Sequence, residues 1–151
     1  MARLNVGNGL TEYVGQLQKL GKDADAYIGR AIYEGAAVVA DAFADAIRGL
    51  PTSKDFTDLH KAGLLEGLGI SKAQTDGGVR NVKIGIDGYN SIRTKKYPNG
   101  QPNSMIARSV DAGTSWRPAH PWITKATNRA KKAAEEAMKN EIEKQIENEM
   151  K

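Results

Sequence analysis

The sequence predicts an α+β fold in which a small antiparallel sheet packs against a long central helix. Three observations lead to this prediction. An amphipathic helical pattern covers residues 23–48, an alternation of apolar residues covers residues 79–86, and a helical segment rich in Ala, Glu and Lys covers residues 122–151. We treat the 151 residues as one domain, because a chain of this length supports one hydrophobic core of ordinary size.

The first third of the chain predicts a strand and two helices. Residues 2–6 read as a short strand, Gly7-Asn8-Gly9 as a turn, and residues 10–20 as a short helix. The central helix ends at Gly49-Leu50-Pro51. Its small residues allow another backbone to approach closely. Its apolar positions recur every three or four residues: Tyr27, Ile28, Ile32, Gly35, Val39, Phe43 and Ile47.

Residues 51–78 predict a short helix, and we interpret Gly63, Gly67 and Gly69 as loop residues that interrupt it. The polar residues before it include Asp55, Asp58 and His60. We interpret them as the start of a helix with Asp55 or Ser53 as its cap, rather than as an acid and base pair.

The sheet is predicted to continue with a strand at residues 79–86 and another at residues 105–111. Between them, residues 89–103 predict a protruding, mobile hairpin loop, since they contain several chain breakers. This loop is basic. It contains Arg93, Lys95 and Lys96, two tyrosines and no acidic residue. Contact with DNA or with an acidic protein surface fits this composition, and so does a solvated loop.

The last helix predicts an assembly face. At about 100° per residue, Ala126, Ala130, Ala133 and Ala137 fall on one side of the helix. Ile142, Ile146 and Met150 fall on a different side. Since one straight helix cannot press both groups of residues on one core, we expect the second group to contact another subunit.

The composition limits the possible functions. Leu, Ile, Val and Phe together make up 29 of 151 residues, which is lean for a globular core and favours burial against other subunits. The chain has no Cys and only two His, so we expect neither a metal site nor a cofactor. No nucleophile, base and orienting group can be assembled from the sequence, so we expect no catalysis. No segment has the length and apolarity of a membrane span.

Residues 107–123 carry the most specific motif of the chain. An acidic residue and a Gly-Thr pair follow the predicted strand, and a Pro-Ala-His-Pro-Trp-Ile run then leads into the last helix. This connector resembles that of the tail-completion, or head-tail joining, neck proteins of tailed bacteriophages. The matching residues are Asp111, Gly113, Thr114, Pro118, Ala119, Pro121, Trp122 and Ile123. We expect Pro118 and Pro121 to fix the entry angle of the last helix, and Trp116 and Trp122 to anchor it.

The resemblance implies a structural virion protein without enzymatic activity or cofactor. Such a subunit forms a ring at the head-tail junction, with a hexamer favoured, and surrounds the DNA passage. Its implied partners are a portal-side adaptor and the tail terminator or tail tube proteins. Its implied location is the neck of the virion, assembled in the host cytoplasm. The alternative is a small basic nucleic-acid-binding protein that acts through residues 89–103.

Overall fold

The computed structural model describes the backbone of residues 2–5 and 24–149 and the side chains of residues 26–148. The predicted turn at Gly7-Asn8-Gly9 and the helix over residues 10–20 lie outside the described residues. The α+β class is confirmed, since the described chain contains both long helices and a small sheet. In chain order the elements are β1 (Ala2–Asn5), α1 (Ala24–Arg48), α2 (Asp58–Gly67), β2 (Leu68–Ile70), β3 (Gln74–Asp76), β4 (Val79–Ile86), α3 (Asn103–Ala112) and α4 (Ile123–Glu149).

The described chain groups into two compact units. One unit contains Ala40–Gly69 and Gly85–Arg129. The other contains Ile70–Ile84, together with the described residues between Arg3 and Val39 and those from Ala130 onward. The connector and the basic loop therefore belong to the first unit, and the later part of α4 belongs to the second.

Helix α1 confirms the prediction of an amphipathic central helix. One stripe of its side chains is buried along its length, and the other side carries exposed charges. Its small residues also serve the predicted purpose. A methyl group built on Gly35 would lie 2.6 Å from Cγ of Met138 in α4, so the absence of a side chain lets α4 come close. The fully buried large side chains of α1 are Ile32, Phe43 and Ile47.

The sheet is built around β4. The strand order is β1-β4-β2, and β3 also pairs with β4 in an antiparallel register. Gly77 and Gly78 connect β3 to β4, and both have positive φ, at 55° and 83°. A two-residue turn with two positive φ angles matches the right-handed twist of the paired strands. The predicted inner face of β4 is confirmed, because Val82, Ile84 and Ile86 are buried.

The predicted strand at residues 105–111 is wrong, since α3 covers this segment. Its buried residues are Asn103, Ile106, Ala107 and Val110, which recur at the three-to-four spacing of a helix. In a segment this short, the few apolar residues do not distinguish the period of a strand from that of a helix. The basic segment over residues 89–103 thus connects a strand to a helix rather than two strands.

The glycines of α2 are not loop residues. Gly63 lies inside the helix and Gly67 is its last residue. A methyl group on Gly63 would lie 2.8 Å from Cβ of Asn90 and from Oδ1 of Asn103. One on Gly67 would lie 2.1 Å from the carbonyl oxygen of Asp87, so α2 packs against this chain segment through its glycines.

The N-terminal cap of α2 also differs from the prediction. Thr57 is the capping residue, in place of Asp55 or Ser53, and its backbone N–H donates to Nδ1 of His60 over 2.9 Å. His60 therefore takes the position that Glu or Gln occupies in a capping box. This contact gives His60 a structural role in the first turn of α2.

The two-sided pattern predicted for α4 is wrong. Its buried residues follow one row at intervals of four: Ala126, Ala130, Ala134, Met138 and Ile142. Such a row is inclined to the helix axis, so it faces neighbours that cross the helix at an angle. The prediction placed Ala133 and Ala137 on the buried side, yet Ala133 is exposed and Ala137 is half-buried. Because the row is inclined, Ile142 lies in the same buried stripe as Ala126, Ala130 and Ala134.

Candidate functional site

The connector between α3 and α4 is held by hydrogen bonds and by one close backbone contact. Oδ1 of Asp111 accepts from the backbone N–H of Ile123 over 3.0 Å, which satisfies a free donor at the start of α4. His120 donates its backbone N–H to the carbonyl oxygen of Val110 over 2.8 Å. Gly113 has φ of 78°, and a methyl group there would lie 2.9 Å from the nitrogen of Ala119. The glycine of the motif is thus required by both its φ angle and its surroundings.

Trp122 anchors α4, as the sequence predicts. Its side chain is only 4% exposed. Its ring packs edge-on against Phe43 with the ring centroids 5.5 Å apart, and its Nε1–H donates to the carbonyl oxygen of Ala107 over 3.4 Å. Phe43 comes from α1 and Ala107 from α3, so one indole ring joins the start of α4 to two other helices of the same unit.

Trp116 does not anchor the connector, because its side chain is 62% exposed. The buried side chain is that of its neighbour Arg117. Nη1 of its guanidinium donates to Oγ of Ser109 over 3.0 Å, and Nη2 donates to the carbonyl oxygen of Asp55. The guanidinium carbon lies 4.7 Å from the Trp116 ring centroid and 5.9 Å from that of Phe56. Arg117 therefore ties the connector to the segment before α2.

Pro118 and Pro121 are exposed on either side of Ala119 and His120. Thr114 and Arg117 form a small antiparallel bridge just before them. Backbone hydrogen bonds and the buried Trp122 hold the segment in place. Its prolines restrict the backbone of the residues that precede them. His120, which we expected to be a packing or interface residue, exposes its side chain in the described chain.

The environment of His60 lowers its pKa. Burial of the imidazole is the main cause, and the positive charge of Arg117 acts in the same direction. A hydrogen bond to Gln101 and the carboxylate of Asp55 oppose the shift. Since Nδ1 accepts the Thr57 N–H, protonation of that nitrogen would break this hydrogen bond of the cap of α2.

We expect the stability of the protein to fall as the pH drops below about 6.5, with a contribution from His60. Its folded pKa lies below its unfolded pKa, so the unfolded chain binds the extra proton. The contribution is complete above the unfolded pKa and is lost as the pH falls through the folded pKa. His60→Gln keeps an acceptor for the cap and cannot titrate.

The measurement is the melting temperature of wild type and variants between pH 7 and pH 5. The His60→Gln variant should show a flatter decline than wild type. His120→Gln is the control, since that side chain is exposed and its replacement should leave the decline unchanged. Equal slopes for wild type and His60→Gln would show that His60 does not contribute.

The basic loop, residues 89–103, has a hydrogen-bonded base. Tyr89 and Pro102 form an antiparallel bridge, and Asn90 donates its backbone N–H to Gln101 over 2.9 Å. The buried side chain of Asn90 accepts from the N–H groups of Ile92 and Gln101, each at 3.0 Å. Asn103 closes the base by donating its side-chain amide to the carbonyl oxygen of Asp87. Two buried asparagines therefore fix where the loop leaves the fold.

The charged part of the basic loop is exposed. The side chains of Arg93, Lys95 and Lys96 all reach solvent, and no ion pair joins them to another residue within the described part of the chain. An open cleft of about 370 Å³ lies beside them. Lys96 places its ammonium 5.6 Å from the Tyr97 ring centroid, and Tyr89 is 68% exposed. The cleft is lined by Tyr89, Lys96, Tyr97, Pro98, Asn99 and Gly100.

The predicted assembly face on α4 is contradicted for Ile142, which is fully buried within its own chain. Ile146 is half-buried, and Met150 lies outside the described residues. A contact with another subunit through Ile142 would require α4 to detach from its own fold. Any contact made by this end of the helix must therefore use other side chains.

The described segments contain no cluster of metal-ligating side chains. Within residues 26–148, no group of three or more His, Asp and Glu side chains could hold a metal ion. The structure gives His60 a structural role: its ring accepts the Thr57 N–H and packs on Phe56 with centroids 5.7 Å apart. This agrees with the interpretation of Asp55, Asp58 and His60 as the start of a helix. None of the described helices is long and apolar enough to cross a membrane.

Sequence reasoning missed three residues of this region: Arg117, Asn90 and Asn103. Arg117 lies within the connector motif, yet its acceptors are a hydroxyl in α3 and a carbonyl oxygen 62 residues away. A backbone carbonyl that accepts a hydrogen bond cannot be identified from the sequence, because every residue has one. The asparagines do carry one signal, since each lies in a segment rich in Gly and Pro where Asn stabilises turns.

Comparison with family models, with curated proteins and with solved structures finds no match to this chain. The resemblance to neck proteins therefore rests on the sequence pattern of this chain: the connector residues, and the short strand, helix and long Ala- and Val-rich helix that are predicted before them.

Proposed function

We propose that this protein is a structural subunit of the neck of a tailed bacteriophage. In this role it assembles as a ring, with six copies favoured, between a portal-side adaptor and the tail terminator or tail tube proteins. The ring surrounds the DNA passage and needs neither a cofactor nor a catalytic group.

One observation carries the proposal. The connector residues that resemble the neck family serve the architecture rather than a reactive centre. Asp111 caps α4, Gly113 permits a close backbone contact, and Trp122 joins three helices. A motif whose residues fix the angle between two helices suits a protein whose function is to hold a shape.

Exposed apolar side chains give the proposal further support. Six large apolar side chains are exposed among the described residues. Leu59, Tyr89, Met105 and Trp116 belong to the unit that contains the connector, and Tyr33 and Val79 belong to the other unit. Aromatic residues and Met are enriched on surfaces where proteins associate. A ring subunit flanked by copies of itself and by other neck proteins has such surfaces.

The test is the position of the protein in assembled particles. Cryo-electron microscopy of virions that carry it should place a ring of this chain at the head-tail junction. Native mass spectrometry of the purified protein should show an oligomer that matches the symmetry of that ring. Particles that package DNA and carry tails, but show no density for this chain at the junction, would contradict the proposal.

The alternative is a small nucleic-acid-binding protein, and the exposed cations of the basic loop beside Tyr89 favour it. It predicts a monomer or dimer that binds DNA tightly. This binding should weaken steeply as salt is added, because each phosphate contact releases counterions.

A further inference from the structure

The cleft of the basic loop has hydrogen-bonded walls. The carbonyl oxygen of Tyr97 accepts two backbone N–H groups, that of Thr94 over 3.0 Å and that of Gly100 over 3.2 Å. The N–H of Tyr97 donates in turn to Oγ1 of Thr94 over 3.0 Å. These bonds hold two consecutive tight bends, at residues 94–97 and 97–100. The cleft is therefore formed before a ligand binds, which lowers the entropic cost of binding.

Tyr89 lies beside the second bend. Gly100 has φ of 108°, and a methyl group built on it would overlap the carbonyl oxygen of Asn90 and lie 3.5 Å from Cβ of Tyr89. The absence of a side chain at Gly100 lets these two backbone segments approach each other. The Tyr89 side chain lines the cleft and is 68% exposed, so most of its ring is open to a ligand.

The surface around the cleft is basic. Residues 88–110 carry four cations and no acidic residue. The four cations are all exposed: Arg93, Lys95, Lys96 and Arg108. Lys96 lines the cleft itself. Arg108 lies on the same side of α3 as Met105, whose Sδ accepts from the hydroxyl of Tyr97 over 3.2 Å. An anionic ligand in the cleft therefore meets no carboxylate from this segment.

We infer that the cleft binds one unpaired nucleotide of a single-stranded nucleic acid. The base stacks on the ring of Tyr89, and the phosphate lies at the ammonium of Lys96. The exposed amide of Asn99, which also lines the cleft, offers a donor and an acceptor to the edge of the base. The volume of about 370 Å³ lies at the small end of the range of ligand sites, about 300 to 1,000 Å³, which suits a ligand of this size.

An unpaired nucleotide matches both the ring and the cations of the cleft. In a duplex the faces of each base are covered by the neighbouring pairs, so a duplex offers phosphates to Lys96 but no free face to Tyr89. An acidic peptide offers carboxylates, but it carries no planar ring in fixed proximity to each charge. A nucleotide carries a planar base and a phosphate in one unit.

The inference goes beyond the proposed function and does not rest on it. The residues of the cleft all belong to one compact unit of a single copy, so the cleft is complete without a ring. It therefore holds both for a neck subunit and for the alternative of a small nucleic-acid-binding protein.

The test is binding of four labelled probes to the full-length protein, followed by fluorescence anisotropy. The probes are a single-stranded oligothymidylate, a strand of the same length without bases, a duplex of that length and a poly-glutamate peptide. The strand without bases keeps the phosphates and removes only the stacking groups. An oligouridylate probe then separates RNA from DNA, and a preference for either strand supports the inference.

Two substitutions test the ring. Tyr89→Ala removes it, and Tyr89→Phe keeps it. Wild type should bind the oligothymidylate about tenfold more tightly than the strand without bases, which is the contribution of one stacked base. Tyr89→Ala should lose this difference while its binding to the duplex stays unchanged, and Tyr89→Phe should retain the difference. Circular dichroism and the melting temperature check that each variant folds.

A charge variant tests the phosphate contacts. It carries Arg93→Gln, Lys95→Gln and Lys96→Gln. If three phosphates are contacted, log Kd of wild type should rise with log salt at a slope of about 2, because each contact with a single strand contributes about 0.7. The charge variant should lose most of this slope. The control removes the same charge from exposed positions of α4 and should keep the slope: Lys125→Gln, Arg129→Gln and Lys132→Gln.

Three results would overturn the inference. The first is that wild type binds none of the nucleic acid probes at low salt. The second is that Tyr89→Ala leaves binding of the oligothymidylate unchanged, which would reduce the loop to a surface for any polyanion. The third is that poly-glutamate binds more tightly than the oligothymidylate and is lost in the charge variant, which would assign the loop to an acidic protein. None of these results bears on the position of the chain in the virion, which microscopy tests separately.

Discussion

Trp122→Ala should destabilise the protein by about 3 to 5 kcal/mol, the cost of removing a large ring from a packed core. The indole is buried, packs edge-on against Phe43 and donates to the carbonyl oxygen of Ala107. The substitution removes the contacts that Trp122 makes with Phe43 of α1 and with Ala107 of α3 together. For a chain of this length the melting temperature should fall by roughly 10 °C.

Trp116→Ala is the matched control, because it removes the same side chain from an exposed position six residues earlier. It loses only the stacking on Arg117, which contributes about 1 kcal/mol or less at exposed sites. Both variants are measured by urea denaturation and by thermal melting. Equal losses in the two variants would show that Trp122 is not the anchor of α4.

Ile142→Ala should destabilise the protein by about 2 to 5 kcal/mol. Ile142 is fully buried at the end of the row that includes Ala134 and Met138, so its removal leaves a cavity within the same chain. Truncation after Asn140 should be at least as costly, because it removes this side chain and the helix around it. Both effects should appear at protein concentrations where the subunits are dissociated.

Two further substitutions separate this result from a general weakening of the helix. Lys144→Ala changes an exposed position and should alter stability by about 0.5 kcal/mol or less. Ile146→Ala changes a half-buried position and should cost less than Ile142→Ala. If Ile142→Ala left the melting temperature unchanged and weakened only association, Ile142 would belong to an interface between subunits.

The long elements were predictable because their periodicity is carried by their own residues. The central helix was predicted over residues 23–48 and is Ala24–Arg48 in the structure, and the strand at Val79–Ile86 has the predicted bounds. In both, the apolar positions repeat over several turns or pleats, so one periodicity clearly outweighs the other. The anchoring role of Trp122 was also predictable, since it follows a rigid connector at the start of a helix.

The secondary structure of short segments, and the choice of which helix face is buried, depended on contacts with residues far away in the sequence. The segment over residues 105–111 has too few apolar residues to distinguish a strand from a helix, and α2 supplies the surface on which α3 packs. In the sequence, Gly63 and Gly67 have the appearance of chain breakers. In the structure they are the positions where α2 packs closely against Asn90, Asn103 and Asp87. Helix propensity is a weak preference, and tertiary contacts override it.

The sequence by itself determined the fold class, the two long helices, the central strand and the connector with its buried Trp122. Only the tertiary structure decided that Trp116 is exposed, that Arg117 is buried and that Ile142 belongs to its own core. The physical reason is the range of the interactions. Periodicity is a property of a segment, but burial of one residue depends on what the rest of the chain brings to it, such as the Asp55 carbonyl that receives Arg117.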